Sequence, residues 1–232
     1  MKQLFFSLAF FVSLLAHSQQ VEKTNYFDKH QKFNKKFLFG FSVNNSWSNF
    51  RDLKDSSFFR PSLGIHLSTE YYFFKGLGIS ADFGLQQRGM GIFTPDLDQS
   101  IGDPDSTGRL RYKVSTIEMP LLLIYRHNQE VYNKVRLSAG IGIVPMYIFK
   151  AERIWKSIDD GFHEPRSLKE NYNTFDFPLR FSLGCDIDAP GGNILKTNFI
   201  FDYGFKGIYL NPSNNVRSNK NILLGIKLTF LF

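Results

Sequence analysis

Apolar and polar residues alternate along most of this chain. In "FLFGFSVNN", Phe37, Phe39, Phe41 and Val43 share one parity, while Gly40, Ser42 and Asn44 share the other. "SLGIHLSTEYY" sets Leu63, Ile65, Leu67 and Tyr71 against His66, Ser68 and Glu70, and "LGISADFGLQQRG" sets Ile79, Phe83 and Leu85 against Asp82, Gln86 and Arg88. The pattern returns in "KVRLSAGIGIVPMY", "TFDFPLRFSLGCDI", "LKTNFIFDYGFKG" and the C-terminal "NILLGIKLTFLF". Successive side chains of a strand point to opposite faces, so this period predicts strands with one apolar and one polar face. With "LRYKVSTIEMPLLLIY" there are about eight such segments, most of ten residues or more. Soluble strands usually run about five or six residues, whereas strands that cross a bilayer need ~9–11.

The fourth segment breaks the pattern. Leu110, Tyr112 and Val114 are even-numbered, but Ile117, Met119, Leu121 and Leu123 are odd, which predicts a one-residue bulge near Ser115 or Thr116. Pro120 removes one donor from the ladder. Long polar connections are expected near 47–60, 89–109, 150–172 and 207–220, and shorter ones near 73–76, 126–134 and 188–193. Long loops at one end and short turns at the other are the habit of outer-membrane barrels. Aromatic residues near strand ends (Tyr71, Tyr72, Phe73, Tyr125, Tyr147, Phe149, Tyr203 and Phe205) suit interfacial girdles. The polar face, rich in Gly and Ser with a few charges, suits a narrow lumen better than a solvated surface. The expected fold is therefore all-β: an eight-stranded antiparallel up-and-down transmembrane β-barrel.

Composition refines this picture. The opening "MKQLFFSLAFFVSLLAHSQQ" reads as a secretory signal peptide over residues 1–18, because its apolar core is too short to span a bilayer as a helix. Residues 19–36 read as a periplasmic lead-in and 37–232 as the barrel domain, with the long loops extracellular and both termini periplasmic. The single cysteine, Cys185, excludes an intramolecular disulfide framework. The net charge of +7 sits on no helix or aromatic platform of the kind that binds nucleic acid, so no nucleic-acid partner is expected. A C-terminal strand ending on Phe232 has the form of the signal read by barrel-assembly machinery.

An eight-stranded barrel is just wide enough for side chains to fill it. Parity sends Glu70, Asp82, Arg88, Glu118, Arg136, Asp176, Arg180, Lys196, Asp202 and Lys227 into that space, along with His66, Asp186 and Lys206. Charges there must pair across the walls, since burying them unpaired costs several kcal/mol. Glu118 is expected to neutralise Arg136 or Arg180. "HLSTE" offers a His-x-Ser pair like that of PagL-type lipid A deacylases, but Glu70 lies about 14 Å along the strand from His66 and is too far to orient it. "DLDQSIGDPDSTG", with Asp96, Asp98, Asp103 and Asp105, misses the calcium-loop pattern at its glycine and final glutamate positions. No zinc spacing, phosphate loop or redox pair occurs. No catalytic residue, metal or cofactor is expected, and the chain does not read as an enzyme.

"YKVSTIEMPLLLIYR" followed by "RLSAGIGIVPMY", with the earlier "EYYFFKGLGISADFGLQQRG" and the terminal aromatic, resembles the PorT-like outer-membrane β-barrel proteins of Bacteroidota. The resemblance covers nearly the whole mature chain and implies a Gram-negative outer-membrane location. It also implies an alternative role, as a subunit of an envelope machine such as type IX secretion or barrel assembly. The function expected from the residues is a structural or interaction platform acting through long loops, with the lumen plugged; a lipid-modifying enzyme is the third reading. Arg51, Arg60, Arg109, Arg111, Lys150, Arg153 and Lys156, near the long-loop ends of their strands, are candidate contacts for the phosphates of lipopolysaccharide, and the third long loop adds Trp155 and Phe162 as candidate contacts for an envelope protein. Outer-membrane lipid is the remaining expected partner.

Overall fold

The computed structural model describes residues 37–51, 57–74, 76–94, 108–127, 134–157, 161–162, 166–167, 174–207 and 220–232. The expected signal peptide, the lead-in and the acidic stretch from Asp96 to Asp105 lie outside these residues. Eight antiparallel strands make a closed ring: β1 (Phe37–Arg51), β2 (Ser57–Tyr72), β3 (Leu77–Thr94), β4 (Gly108–Glu118 and Leu121–Arg126), β5 (Val135–Ile143 and Met146–Ser157), β6 (Phe175–Asp176 and Leu179–Asp188), β7 (Ile194–Gly207) and β8 (Lys220–Leu231). Each strand pairs with its sequence neighbours, and β8 returns to β1 with Gly40 opposite Leu231 and Arg51 opposite Lys220. Phe39 and Phe232 exchange both backbone hydrogen bonds, at 2.9 and 3.2 Å, so the C-terminal strand is held to its last residue. No helix among the described residues is long and apolar enough to cross a membrane. A closed ring leaves no unpaired edge, which is what crossing with strands requires.

The alternation becomes an inside and an outside. On β1, Phe37, Phe39, Phe41 and Val43 are exposed while Leu38, Ser42, Asn44 and Ser46 are buried. Leu183 on the outward face of β6 is 66% exposed; Arg180, three residues earlier, is 1% exposed. In water this would be an inverted protein; in a bilayer the apolar face meets lipid. Tyr71, Phe73, Tyr125 and Phe232 ring the short-turn end, and Phe59, Phe149, Phe175 and Phe205 ring the other. Tyr72 does not join the girdle, because its hydroxyl turns inward to donate to Glu70 Oε2 at 2.7 Å.

Prolines interrupt three adjacent strands, at Pro120, Pro145 and Pro178, without opening the wall. In an antiparallel ladder the N–H and C=O of one residue face the same neighbour, so a proline forfeits one bond of its pair and keeps the other. The carbonyl of Pro120 accepts from Asp82 N–H at 2.9 Å, that of Pro145 from Met119 at 2.8 Å, and that of Pro178 from Val144 at 2.8 Å.

The bulge expected near Ser115 or Thr116 exists, but on the opposite strand. Ser115 pairs with Lys150 and Thr116 with Ile148, leaving Phe149 as the extra residue. Parity on β4 therefore never changes: Val114, Thr116, Glu118, Leu122, Ile124 and Arg126 are all buried. Its switch from apolar to polar outward positions marks the end of the lipid-facing band instead. The long connections are also shorter than expected, since strand runs to Arg51, resumes at Ser57, reaches Thr94 and continues to Ser157. Past the lipid-facing band the outward positions need not be apolar and some inward ones are, so the alternation of apolar and polar residues fades while the pairing persists. The 18-residue β3 is about 60 Å long at ~3.4 Å per residue, far more than a bilayer requires.

Gly76, with φ of 82°, makes the tight β2–β3 turn where a Cβ would be strained. At the closing seam, a methyl group built on Gly40 would overlap the carbonyl oxygen of Phe230. Gly40→Val is expected to block closure, abolishing the compact heat-modifiable band on a denaturing gel. A variant that migrates like the parent would show that the seam tolerates a side chain there.

Candidate functional site

The lumen holds the densest chemistry among the described residues. Seven carboxylates (Glu70, Asp82, Glu118, Asp176, Asp186, Asp188 and Asp202) and six cations (Arg88, Arg126, Arg136, Arg180, Lys196 and Lys227) are buried in it. The two signs nearly cancel, so the positive surplus of the chain lies elsewhere. Each side chain is there because it occupies the inward parity of its strand. Lys206 also belongs to that parity, but its side chain lies outside the described residues.

At the middle of the barrel, Arg88 of β3, Glu118 of β4, Arg180 of β6 and Asp202 of β7 form a quartet. Arg88 donates from Nε to Glu118 Oε1 at 2.7 Å and from Nη2 to Asp202 Oδ2 at 2.7 Å. Arg180 and Asp202 face each other in register, and Arg180 binds the carboxylate in a fork, with Nε to Oδ1 at 2.6 Å and Nη2 to Oδ2 at 2.8 Å. Arg180 Nη2 also lies 3.6 Å from Glu118 Oε2. Two cations and two carboxylates, each 2% exposed or less, thus neutralise one another across the full width of the lumen. The expectation for Glu118 resolves toward Arg180, with Arg88 as its closer partner. Arg136 is excluded, being held by Asp188 at 3.1 Å near the strand end.

A second network gathers at the short-turn end. Lys196 reaches Glu70 Oε1 at 2.6 Å and Asp186 at 3.6 Å, and Arg126 lies 3.0 Å from Asp186 and from Asp188. Beside it Leu38, Ile194 and Leu231 make an apolar cluster with Tyr72 against it. Between the two networks, Lys227 of β8 donates to Asp82 of β3. Arg126 and Asp188 were missed by the sequence reading, although both carry the inward parity, because each was placed at the start of a short connection, 126–134 and 188–193. Also missed were the buried Met90, Val114, Met146, Ile148 and Ala151, which put apolar bulk in the lumen on the long-loop side of the quartet. Asp176 lies in the same half of β6, with Oδ1 accepting from Phe177 N–H at 2.9 Å.

The "HLSTE" trio has other employment. Ser68 Oγ donates to Ser42 Oγ at 3.0 Å, and Glu70 is occupied by Lys196 and Tyr72. His66 makes no hydrogen bond through either ring nitrogen among the described residues, and its nearest carboxylate is Glu118 at 4.0 Å. All three side chains are buried in the lumen, so the geometry a base-activated serine needs is not assembled. Among the described residues there is also no cluster of His, Cys, Asp and Glu suited to a metal ion.

The candidate contacts near the third loop lie on strands. Arg109 is opposite Lys156, Leu110 opposite Trp155, Arg111 opposite Ile154, and Tyr112 opposite Arg153. Phe162 pairs with Lys156 through the short strand Gly161–Phe162. The side chains of Arg109, Trp155, Lys156 and Phe162 lie outside the described residues; those of Arg111 and Arg153 are half-buried.

Removing one member of the quartet leaves an uncompensated charge. Asp202→Ala strands Arg180 and Arg88 with one carboxylate between them and is expected to cost about 3–5 kcal/mol. The double replacement Arg180→Met with Asp202→Leu leaves the Arg88–Glu118 pair balanced and should cost less. Urea unfolding in lipid vesicles measures both, and equal or reversed losses would contradict the quartet.

A family model described as the outer membrane protein beta-barrel domain matches residues 3–210. Among solved structures the chain is similar to the attachment invasion locus protein Ail of Yersinia pestis, crystallised with the heparin analogue sucrose octasulfate, at 14% identity over 85% of this chain and 99% of that one, with a TM-score of 0.38. It is similar to OprG of Pseudomonas aeruginosa at 13% identity over 84% and 95%, TM-score 0.46, and to Neisserial surface protein A at 11% over 85% and 97%, TM-score 0.44. No curated protein matches the sequence.

Proposed function

The chain belongs to the outer membrane protein beta-barrel domain family, and from that premise we propose that it is a sealed outer-membrane barrel acting as a structural or interaction platform. The observation that carries this reading is the filled lumen. Ion pairs bridge it at the short-turn end, between Asp82 and Lys227, and again at the quartet, with buried apolar side chains beyond. A solute path would have to break these ties. Among the described residues neither an open solute path nor a catalytic set is assembled, and in this reading recognition occurs at the polar long-loop end.

In this reading the long loops are extracellular and both termini periplasmic, as expected for an even number of strands entering from the periplasm. The exposed Phe232, whose ring packs edge-on against Phe39 at 5.6 Å, is the contact offered to barrel-assembly machinery. The finer likeness to PorT-like proteins of Bacteroidota rests on the sequence motifs alone. It supports the alternative in which the platform is a subunit of a secretion or assembly machine.

Two measurements test the proposal. Reconstituted in planar bilayers, the protein is expected to give no stable conductance of porin size; such conductance would overturn the sealed lumen. Replacing residues 158–172 with a short linker is expected to leave the barrel assembled but to change the proteins that co-purify from detergent-extracted membranes. An unaltered set would remove the support for a platform at this loop, and a set composed of export or assembly components would favour the machine reading.

A further inference from the structure

The lumen is nearly neutral, so cations elsewhere in the chain, among them several on the outside of the barrel, carry its positive charge. The outward face of β4 and β5 is apolar from Tyr125 through Leu123, Leu121 and Met119, matched by Ile141 and Ile143, and it ends at Tyr147 and Phe149. Immediately beyond, the register sets Ser115 against Lys150, Lys113 against Glu152 and Arg111 against Ile154. These positions alternate with Val114 and Ala151, each 1% exposed in the lumen, so they face outward.

The bulge is what brings Lys150 there. Up to Ile148 the even positions of β5 point inward, and the extra residue Phe149 reverses the count, leaving the Lys150 side chain 57% exposed. Arg60 of β2 joins the same face. Its Cδ lies 3.4 Å from where a side chain on Gly89 would begin, and Gly89 is the register partner of Lys113. Arg60 Nη1 donates to the carbonyl of Tyr112 at 3.2 Å, completing the crossing from β2 over β3 to β4. Among the described residues, four cations thus share this face with one carboxylate, Glu152, which lies 2.8 Å from Lys150.

We propose that this outward face of β2, β4 and β5 binds the phosphate groups of an outer-leaflet phosphorylated glycolipid, with Arg60, Arg111, Lys113 and Lys150 as its contacts. The site stands just past an apolar and aromatic band, where acyl chains end and headgroup phosphates begin. Arginine meets a phosphate through two parallel donors and lysine as a point charge, so the set suits a headgroup carrying more than one phosphate. The inference rests on the outer-membrane orientation and is independent of any protein partner.

The test uses the purified full barrel titrated with bisphosphorylated lipid A in detergent micelles, bound lipid being counted by native mass spectrometry. Monophosphorylated lipid A and phosphatidylglycerol serve as comparison probes. The parent protein is expected to retain the bisphosphorylated lipid in preference to both. Arg111→Gln/Lys113→Gln/Lys150→Gln should weaken retention about tenfold, or about 1.4 kcal/mol, while Glu152→Gln should strengthen it. Equal retention by parent and triple variant overturns the site, and equal retention of phosphatidylglycerol reduces it to generic attraction, which also overturns it. Should the triple variant lose the heat-modifiable band, Lys113→Gln and Lys150→Gln are read singly, each expected to weaken retention about threefold.

Discussion

A charge inside a narrow barrel has no water to lean on and must find its counter-charge on another wall. This constraint organises the molecule. Lys196 of β7 crosses to Glu70 of β2, Lys227 of β8 to Asp82 of β3, and Arg88 of β3 to Asp202 of β7, each tie skipping the strands between. Such ties fix the ring against shearing, because a slip of one residue in any strand would turn its charges into lipid. They also demand a closed ring, which Phe39 and Phe232 complete at the seam. The apolar exterior and the charged interior are two faces of one strand periodicity, and neither is stable without the other.

That periodicity is why so much of the fold was legible. Strand number, the sidedness of β1, β6 and β8, and the inward course of the charged positions all follow from counting parity. What parity cannot give is distance across the lumen. Glu118 has inward neighbours of the right sign on several strands, and the choice of Arg88 and Arg180 over Arg136 depends on tilt and stagger, which are properties of the whole ring. The bulge was misassigned for a related reason. Leu110, Tyr112 and Val114 look like a shifted apolar face, yet Val114 is apolar because it fills the lumen beyond the quartet. Strand ends were hidden too, since pairing outlasts the membrane while the alternation that reveals it does not.

The prolines show how a wall absorbs local faults. Pro120, Pro145 and Pro178 each forfeit one ladder bond, one at each of three successive interfaces, and each keeps its carbonyl engaged. No single interface bears more than one of these losses. The bulge at Phe149 is likewise put to use, turning the strand inside out where it leaves the lipid, so that an alternation serving lumen and bilayer below serves the exposed surface above.

The ties across the lumen join residues 114, 126 and 145 positions apart in the chain. Each can form only when β7 or β8 stands across the ring from β2 or β3, so the acidic and basic groups on these walls stay hydrated until opposite walls meet. The lumen therefore dries last. Until then the nascent barrel is a wet, half-closed trough, and the pairing of opposite walls is the event that expels its water and locks the finished wall in place.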